Sequence, residues 1–317
     1  MVQMQAALRR RDGEMDETIV SIAAFMARAT FETTRLGPDD AGALRAHAAP
    51  GTPVYVSALP AKPFADQRAV VEAVRAAGFE PVPHLAVRSV ASIAALSDHL
   101  GRMVERAGVS RVLVIGGDRS EAAGPFRAAV ELIESGLLQS LGIREVGIAG
   151  YPDGHPRLAP IALERALAAK LAAAGETGLA AHIVTQFTVA ADPVVGWLAR
   201  LRAEGIDHPV RVGFAGPASV AALLRYAKIC GVRASAQGLA RNVGLARDML
   251  GRAAPDRVVR GVAAACRRAA DGDGGFGEVT PHLYAFGGLA AAVRWAAAVA
   301  AGRIALDGGG GFAVMPP

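Results

Sequence analysis

Residues 111–151 read RVLVIGGDRSEAAGPFRAAVELIESGLLQSLGIREVGIAGY. An apolar, β-branched run from Arg111 to Gly117 gives way to a stretch of helical period from Glu121 to Ser135, and a second apolar run follows from Glu145 to Tyr151. This is a strand, helix, strand unit. The alternation continues outward on both sides. Further strands are predicted at Ala29–Thr34, Val54–Leu59, Pro81–Val87, Ala181–Thr188 and Val210–Ala215, with a weaker one at His282–Phe286. Helices are predicted at Asp66–Ala77, Val90–Ala107, Pro160–Ala174, Pro193–Glu204, Pro217–Cys230 and within Leu239–Asp271. Eight such repeats close into a single-domain α/β fold, the (β/α)8 TIM barrel. An open doubly wound sheet is the rival, but it lacks the Gly-x-Gly-x-x-Gly turn after the first strand.

Composition supports a chain with a large core: 317 residues, 52% hydrophobic and 20% charged, with mean hydropathy +0.30. The longest apolar run, Gly287 to Gly302, is interrupted by Arg294, so no membrane span is expected. The segment Met1 to Glu14 lacks the apolar centre of a signal peptide, and the expected location is cytoplasmic. Cys230 and Cys266 do not form a disulfide framework or a metal-ligand pair, and no metal is expected. The net charge is +5, but the basic residues are scattered singly, which favours an anionic small molecule over nucleic acid. The expected organisation is a flexible extension over 1–20, the barrel over 21–304, and a flexible glycine-rich tail over 305–317.

A barrel concentrates its chemistry at the C-terminal ends of its strands. Here those ends carry Glu32, Ser57, His84, Gly116-Gly117-Asp118, Tyr151-Pro152-Asp153-Gly154-His155 and Thr185-Gln186-Phe187. Each has an ordinary alternative. Glu32 pairs with an arginine, or else sits in an apolar mouth whose desolvation raises its pKa toward that of a general acid. Asp118 either caps a following helix or faces a ligand approaching over the two glycines. His84, Tyr151 and His155 are open to structural roles. Gln186, in an apolar strand, needs a hydrogen-bond partner from the protein or a ligand. Asp271 to Gly277 lacks the closing acidic residue of a calcium loop and reads as a flexible connection. No Ser-His-Asp elbow, phosphate loop or His-Glu-x-x-His helix is present.

Taken in order, Phe31-Glu32, Pro83-His84-Leu85, Gly117-Asp118, Gly150-Tyr151-Pro152-Asp153-Gly154-His155-Pro156, Thr185-Gln186-Phe187 and His282-Leu283-Tyr284 resemble the methylenetetrahydrofolate reductase family along nearly the whole chain. The resemblance implies FAD and NAD(P)H as cofactors and reduction of 5,10-methylenetetrahydrofolate to 5-methyltetrahydrofolate. It makes Glu32 the acid that protonates the folate nitrogen. Asp118 is placed between pterin and flavin, and Gln186 with Phe187 on the folate. Ser57, His84, Gly117, Tyr151, His155, Glu164 and Lys170 are assigned to the flavin.

The departures are specific. The family's aromatic pair after the acid is Thr33-Thr34 here, and its arginine before Gly-Asp is Gly116. Its basic pair near the flavin phosphates is Lys170-Leu171, with Arg157 and Arg165 as the neighbouring cations. The aromatic ring expected after the seventh strand is missing from Pro217 to Val220, leaving Phe187 or Phe214 to supply one. Two other readings therefore stand beside the reductase. One is a relative of altered chemistry, either flavin-free or oxidising methyl-folate during demethylation; the other is a non-catalytic folate-binding subunit. Exposed Ala and Leu on the helices allow a homo-oligomer.

Overall fold

The computed structural model describes residues 16–58, 64–230, 253–272 and 275–316. Eight parallel strands pair in sequence order: β1 (Thr30–Thr33), β2 (Pro53–Val56), β3 (Glu80–Ala86), β4 (Arg111–Ile115), β5 (Glu145–Gly150), β6 (Ala180–Thr188), β7 (Val210–Ala215) and β8 (Val279–Tyr284). The barrel closes where β8 pairs with β1, setting Thr30 against His282 and Glu32 against Tyr284. The helices are α1 (Glu17–Met26), α2 (Pro38–His47), α3 (Phe64–Ala76), α4 (Ile93–Ala107), α5 (Ala129–Glu134), α6 (Leu137–Ser140), α7 (Pro160–Glu176), α8 (Ala191–Ala203), α9 (Val220–Cys230), α10 (Asp256–Ala270) and α11 (Leu289–Ala300). Helix α4 shows how local sequence makes these elements. The Ser92 side chain accepts from the Ala95 amide at its start, Gly108 takes a left-handed conformation at its end, and Leu96, Leu100 and Met103 line one buried face.

Alternation along each strand separates two environments. On β2, Val54 and Val56 join the apolar layer between sheet and helices, whereas Tyr55 joins Val82, Leu113 and Val184 inside the barrel. The barrel interior is also polar, holding His182 and His282, both buried. Gly147 makes room for one of them, because a Cβ there would lie 2.9 Å from His182 Nε2.

The strand positions follow the sequence pattern to within a few residues, but four features differ. The helix expected over Glu121 to Ser135 is only α5, and residues 116–128 form an irregular loop. Gly124 lets that loop settle onto the backbone of Val90 and Ala91, where a Cβ would come within 2.6 Å of three atoms. Helices α1, α2 and α11 complete the outer ring; α1 starts at Glu17, inside the expected flexible extension, and packs against α10 and α11. The apolar run 287–302 is largely α11, buried against the barrel. The expected flexible tail is an antiparallel hairpin, β9 (Ile304–Leu306) and β10 (Phe312–Val314). Phe312 is buried and stacks on Trp295, while Asp307 Oδ1 accepts the Gly309 and Gly311 amides and so organises the glycine turn. Residues 1–15, Leu59 at the end of the second expected strand, most of the expected stretch 239–271 ahead of α10, and 273–274 of the Asp271–Gly277 connection lie outside the described residues.

Candidate active site at the barrel mouth

Glu32 stands at the end of β1 with its carboxylate turned into the barrel, and neighbouring strands surround it. Ser57, just past β2, donates its hydroxyl to Oε1 at 2.6 Å. His282 Nε2 from β8 lies 3.4 Å from Oε2, and His84 Nε2 from β3 lies 3.5 Å from the same oxygen. Thr30 Oγ1 is 2.9 Å from His282 Nδ1. With Thr30 donating, His282 presents its Nε2–H to the carboxylate. Burial by itself would raise the Glu32 pKa, but His84, His282 and the Ser57 hydroxyl outweigh it and hold the carboxyl below its ordinary value. This reverses the expectation of a raised pKa: the mouth around Glu32 is hydrogen-bonding, not apolar. Burial keeps both imidazoles below their ordinary pKa, against the pull of Glu32, which raises them.

Asp118 lies on the exposed loop after β4. No helix begins there, so it is not a helix cap. Gly117 before it has φ +84, and a Cβ would meet that of Ala86 at 3.0 Å; both facts call for glycine. Beside it lies a residue that strand-end reading missed. Arg88, in the short 3-10 turn Val87–Ser89, donates to the Gly117 carbonyl, and its guanidinium fills the space next to Gly116, 3.4 Å from where a Cβ would be. Its Nε is buried without a hydrogen-bond partner among the described residues. The anchoring bond from the Ala123 amide to the Arg88 carbonyl belongs to the 116–128 loop, and periodicity gives no sign of it.

Tyr151 and His155 meet edge to face, centroids 5.2 Å apart. Burial, helped by the Asp118 charge, raises the Tyr151 pKa, and burial followed by the charges of Arg157 and Arg88 lowers that of His155. Lys170 on α7 is half-buried, and burial pulls its pKa down to about 8. Glu164, Arg157 and Arg165 are exposed.

Gln186 sits at a break in register between β6 and β7. Its Oε1 accepts the Phe187 amide at 3.0 Å, which leaves its amino group to serve another partner. Phe187 and Phe214 do not supply an open ring. Phe187 is buried beneath Tyr284 and Phe286, and Phe214 faces outward against Phe25. The aromatic wall comes instead from Tyr284, Phe286 and Tyr226, the last stacked on Phe286 at 4.1 Å and 11°. Tyr284 donates to the Thr185 carbonyl at 2.9 Å. His282 and Tyr284 were visible as residues of a last strand, but only closure of β8 on β1 brings them beside Glu32.

Fold and site together define a (β/α)8 barrel with a carboxylate held among imidazoles and aromatic rings at its mouth. The methylenetetrahydrofolate reductase family model matches residues 64–247, more than half of the chain, and the chain belongs to that family. The matched segment contains His84, Arg88, Asp118, Tyr151, His155, Lys170 and Gln186; Glu32 and His282 lie outside it. Solved structures resemble the chain more distantly. A 2,3-dimethylmalate lyase of the PEP mutase/isocitrate lyase superfamily is 11% identical, covering 62% of this chain and 69% of its own, with TM-score 0.42. The AHE enzyme from Alicyclobacillus herbarius is 10% identical, covering 78% and 76%, also with TM-score 0.42. At that level neither bears on chemistry.

Proposed function

We propose that this protein is an oxidoreductase that uses NAD(P)H to reduce 5,10-methylenetetrahydrofolate to 5-methyltetrahydrofolate, with Glu32 as the acid. The observation that carries the reading is the Glu32 carboxylate at the mouth of a barrel of this family, held by Ser57 and His282 beside His84. Opening the methylene bridge requires a proton on a folate nitrogen and negative charge near the carbon that becomes cationic. Glu32 supplies the first, once a ligand lying over the mouth strips its remaining water and lifts its pKa. Asp118 supplies the second. The Gln186 amino group hydrogen-bonds the pterin, and Tyr226 and Phe286 offer the stacking surface that Phe187 was expected to provide.

The donor set also suits FAD, which when bound relays hydride from nicotinamide to folate. Arg88 occupies the place beside Gly116 that the missing arginine would fill, and its orphaned Nε gives it a donor to spare. Lys170 adds a second cation, and Gly117 with Tyr151, His155, Ser57 and His84 forms the wall around it. Glu164 is exposed and takes at most a rim contact. Work in the cytoplasm and assembly into a homo-oligomer complete the proposal; among the described residues no helix is long and apolar enough to cross a membrane.

The test is a visible spectrum of the purified protein after desalting, with NAD(P)H oxidation followed in the presence of methylenetetrahydrofolate. Flavin bands together with folate-dependent turnover that Glu32→Gln abolishes support the reading. Turnover by a colourless protein replaces it with direct hydride transfer. Folate binding without turnover by either nicotinamide removes the enzymatic assignment.

A further inference from the structure

The end of the barrel opposite the mouth contains a cavity of about 270 Å³. Its walls come from the N-terminal ends of β1, β2, β7 and β8 and include Thr30, Thr52, Thr280, Arg28, Arg211 and Glu278. Arg211 is the unusual member. It forms no hydrogen bond or ion pair among the described residues, and its Nε is buried with no hydrogen-bond acceptor. Its guanidinium carbon lies 5.7 Å from the centroid of the buried Tyr55 ring, so its inner side is held against an aromatic face.

The carboxylates at this end of the barrel are directed to partners other than Arg211. Two carboxylates, Glu80 and Glu145, reach inward, and both are taken by Arg111, at 3.0 and 2.6 Å. Glu145 is further engaged by His182 Nδ1 at 2.7 Å. The third carboxylate, Glu278 at the cavity rim, is half-exposed and already bound to Arg28 at 2.7 Å. Arg28 and Glu278 pair with each other, so of the charged lining residues Arg211 is the one with no direct ion-pair partner among the described residues. A guanidinium that has lost part of its hydration gains most from an acceptor that is itself charged and engages its planar N–H groups in pairs. The Thr280 hydroxyl, which makes no hydrogen bond among the described residues, adds a neutral donor on the same wall. We propose that this cavity is a binding site for a small tetrahedral oxyanion of the phosphate class, held by Arg211 and Thr280. It is separate from the site at the mouth, and it does not depend on the reductase reading.

The test is calorimetric titration of the full chain with inorganic phosphate at constant ionic strength, with sodium chloride and sodium acetate as controls. The expected result is one saturable phosphate site, with affinity lowered by at least about tenfold in Arg211→Gln, which removes a charged hydrogen-bonding group. Two rim variants read the same site without touching the interior. Ala27→Glu, at an exposed lining position, weakens phosphate several-fold, and Glu278→Gln tightens it. The proposal is overturned if wild-type protein shows no saturable phosphate binding, if acetate binds equally well, or if both rim variants leave the affinity unaltered. It is equally overturned if Lys170→Ala abolishes binding, because the anion is then seated at the other end of the barrel.

Discussion

Glu32 and Glu145 each set a carboxylate against a buried histidine inside the same barrel, at opposite ends of it. At the lower end Glu145 lies 2.7 Å from His182 Nδ1 and 2.6 Å from Arg111, while His182 Nε2 is 2.7 Å from the Tyr55 hydroxyl. Burial opposes ionisation there, but His182 and Arg111 overcome it and bring the Glu145 pKa down to about 2. At the upper end Glu32 has two long imidazole contacts and one hydroxyl, and no arginine or lysine pairs with it among the described residues. A cation in direct contact commits a carboxylate to structure, because removing either partner strands a buried charge. Imidazoles and a hydroxyl, in place of a permanent cation, leave it able to exchange a proton. Tyr55 joins the two ends, its ring 4.7 Å from that of His282 and its hydroxyl on His182.

The strongest way to break this contrast is to neutralise the carboxylate at the upper end and to remove the cation at the lower one. Glu32→Gln is expected to lower folate reduction by about 10²–10⁴-fold, the range for loss of a general acid, with the denaturation midpoint little changed. Arg111→Met strands Glu80 and Glu145 and is expected to cost about 3–5 kcal/mol in urea unfolding, with turnover per folded molecule preserved. If Arg111→Met is stable, or Glu32→Gln unfolds the protein, the two ends do not divide the work in this way.

Smaller effects sharpen it. Tyr55→Phe removes the bond to His182 and should cost about 1–3 kcal/mol, read from the same unfolding curves. Acid should act through His182, whose pKa burial depresses from 6.5 to about 4 despite the pull of Glu145. Between those values the unfolded ring binds a proton that the folded ring refuses, so stability falls as pH drops from about 6.5 toward 4 and is level above that window. His182→Gln should reduce this slope, the remainder coming from His84, His99 and His282, whose pKa burial also lowers, and an unchanged slope would assign the acid sensitivity to those groups alone. The smallest effect is at the aromatic wall. Tyr226→Ala should raise the KM for folate several-fold with kcat nearly kept, as expected for a lost stacking contact of about 1 kcal/mol.

Much of the fold was legible because a strand buried on both faces leaves a dense apolar, β-branched signature, and every predicted strand lies within a few residues of an observed one. The glycine-rich tail misled because composition records backbone freedom and not the partner that removes it: Asp307 pins the turn, and Trp295 covers Phe312. The helix expected at Glu121 failed for a related reason. Gly124 and the Ala123 bond to Arg88 fasten that segment to a neighbouring loop, a tertiary contact that overrides local propensity.

The sequence by itself determined the repeat, the barrel it closes into and the polar residues at the strand ends, because periodicity and strand order are local properties carried by neighbouring side chains. Tertiary structure alone decided which of those residues meet. Closing β8 on β1 brought His282 beside Glu32 and turned an expected high pKa into a lowered one. A turn after β3 delivered Arg88 to a gap opened at Gly116, and the pairing of both inward carboxylates with Arg111 left Arg211 against the Tyr55 ring with no ion-pair partner among the described residues. Charge and hydrogen bonding fall off within a few ångströms, so they depend on distances between residues far apart in the chain.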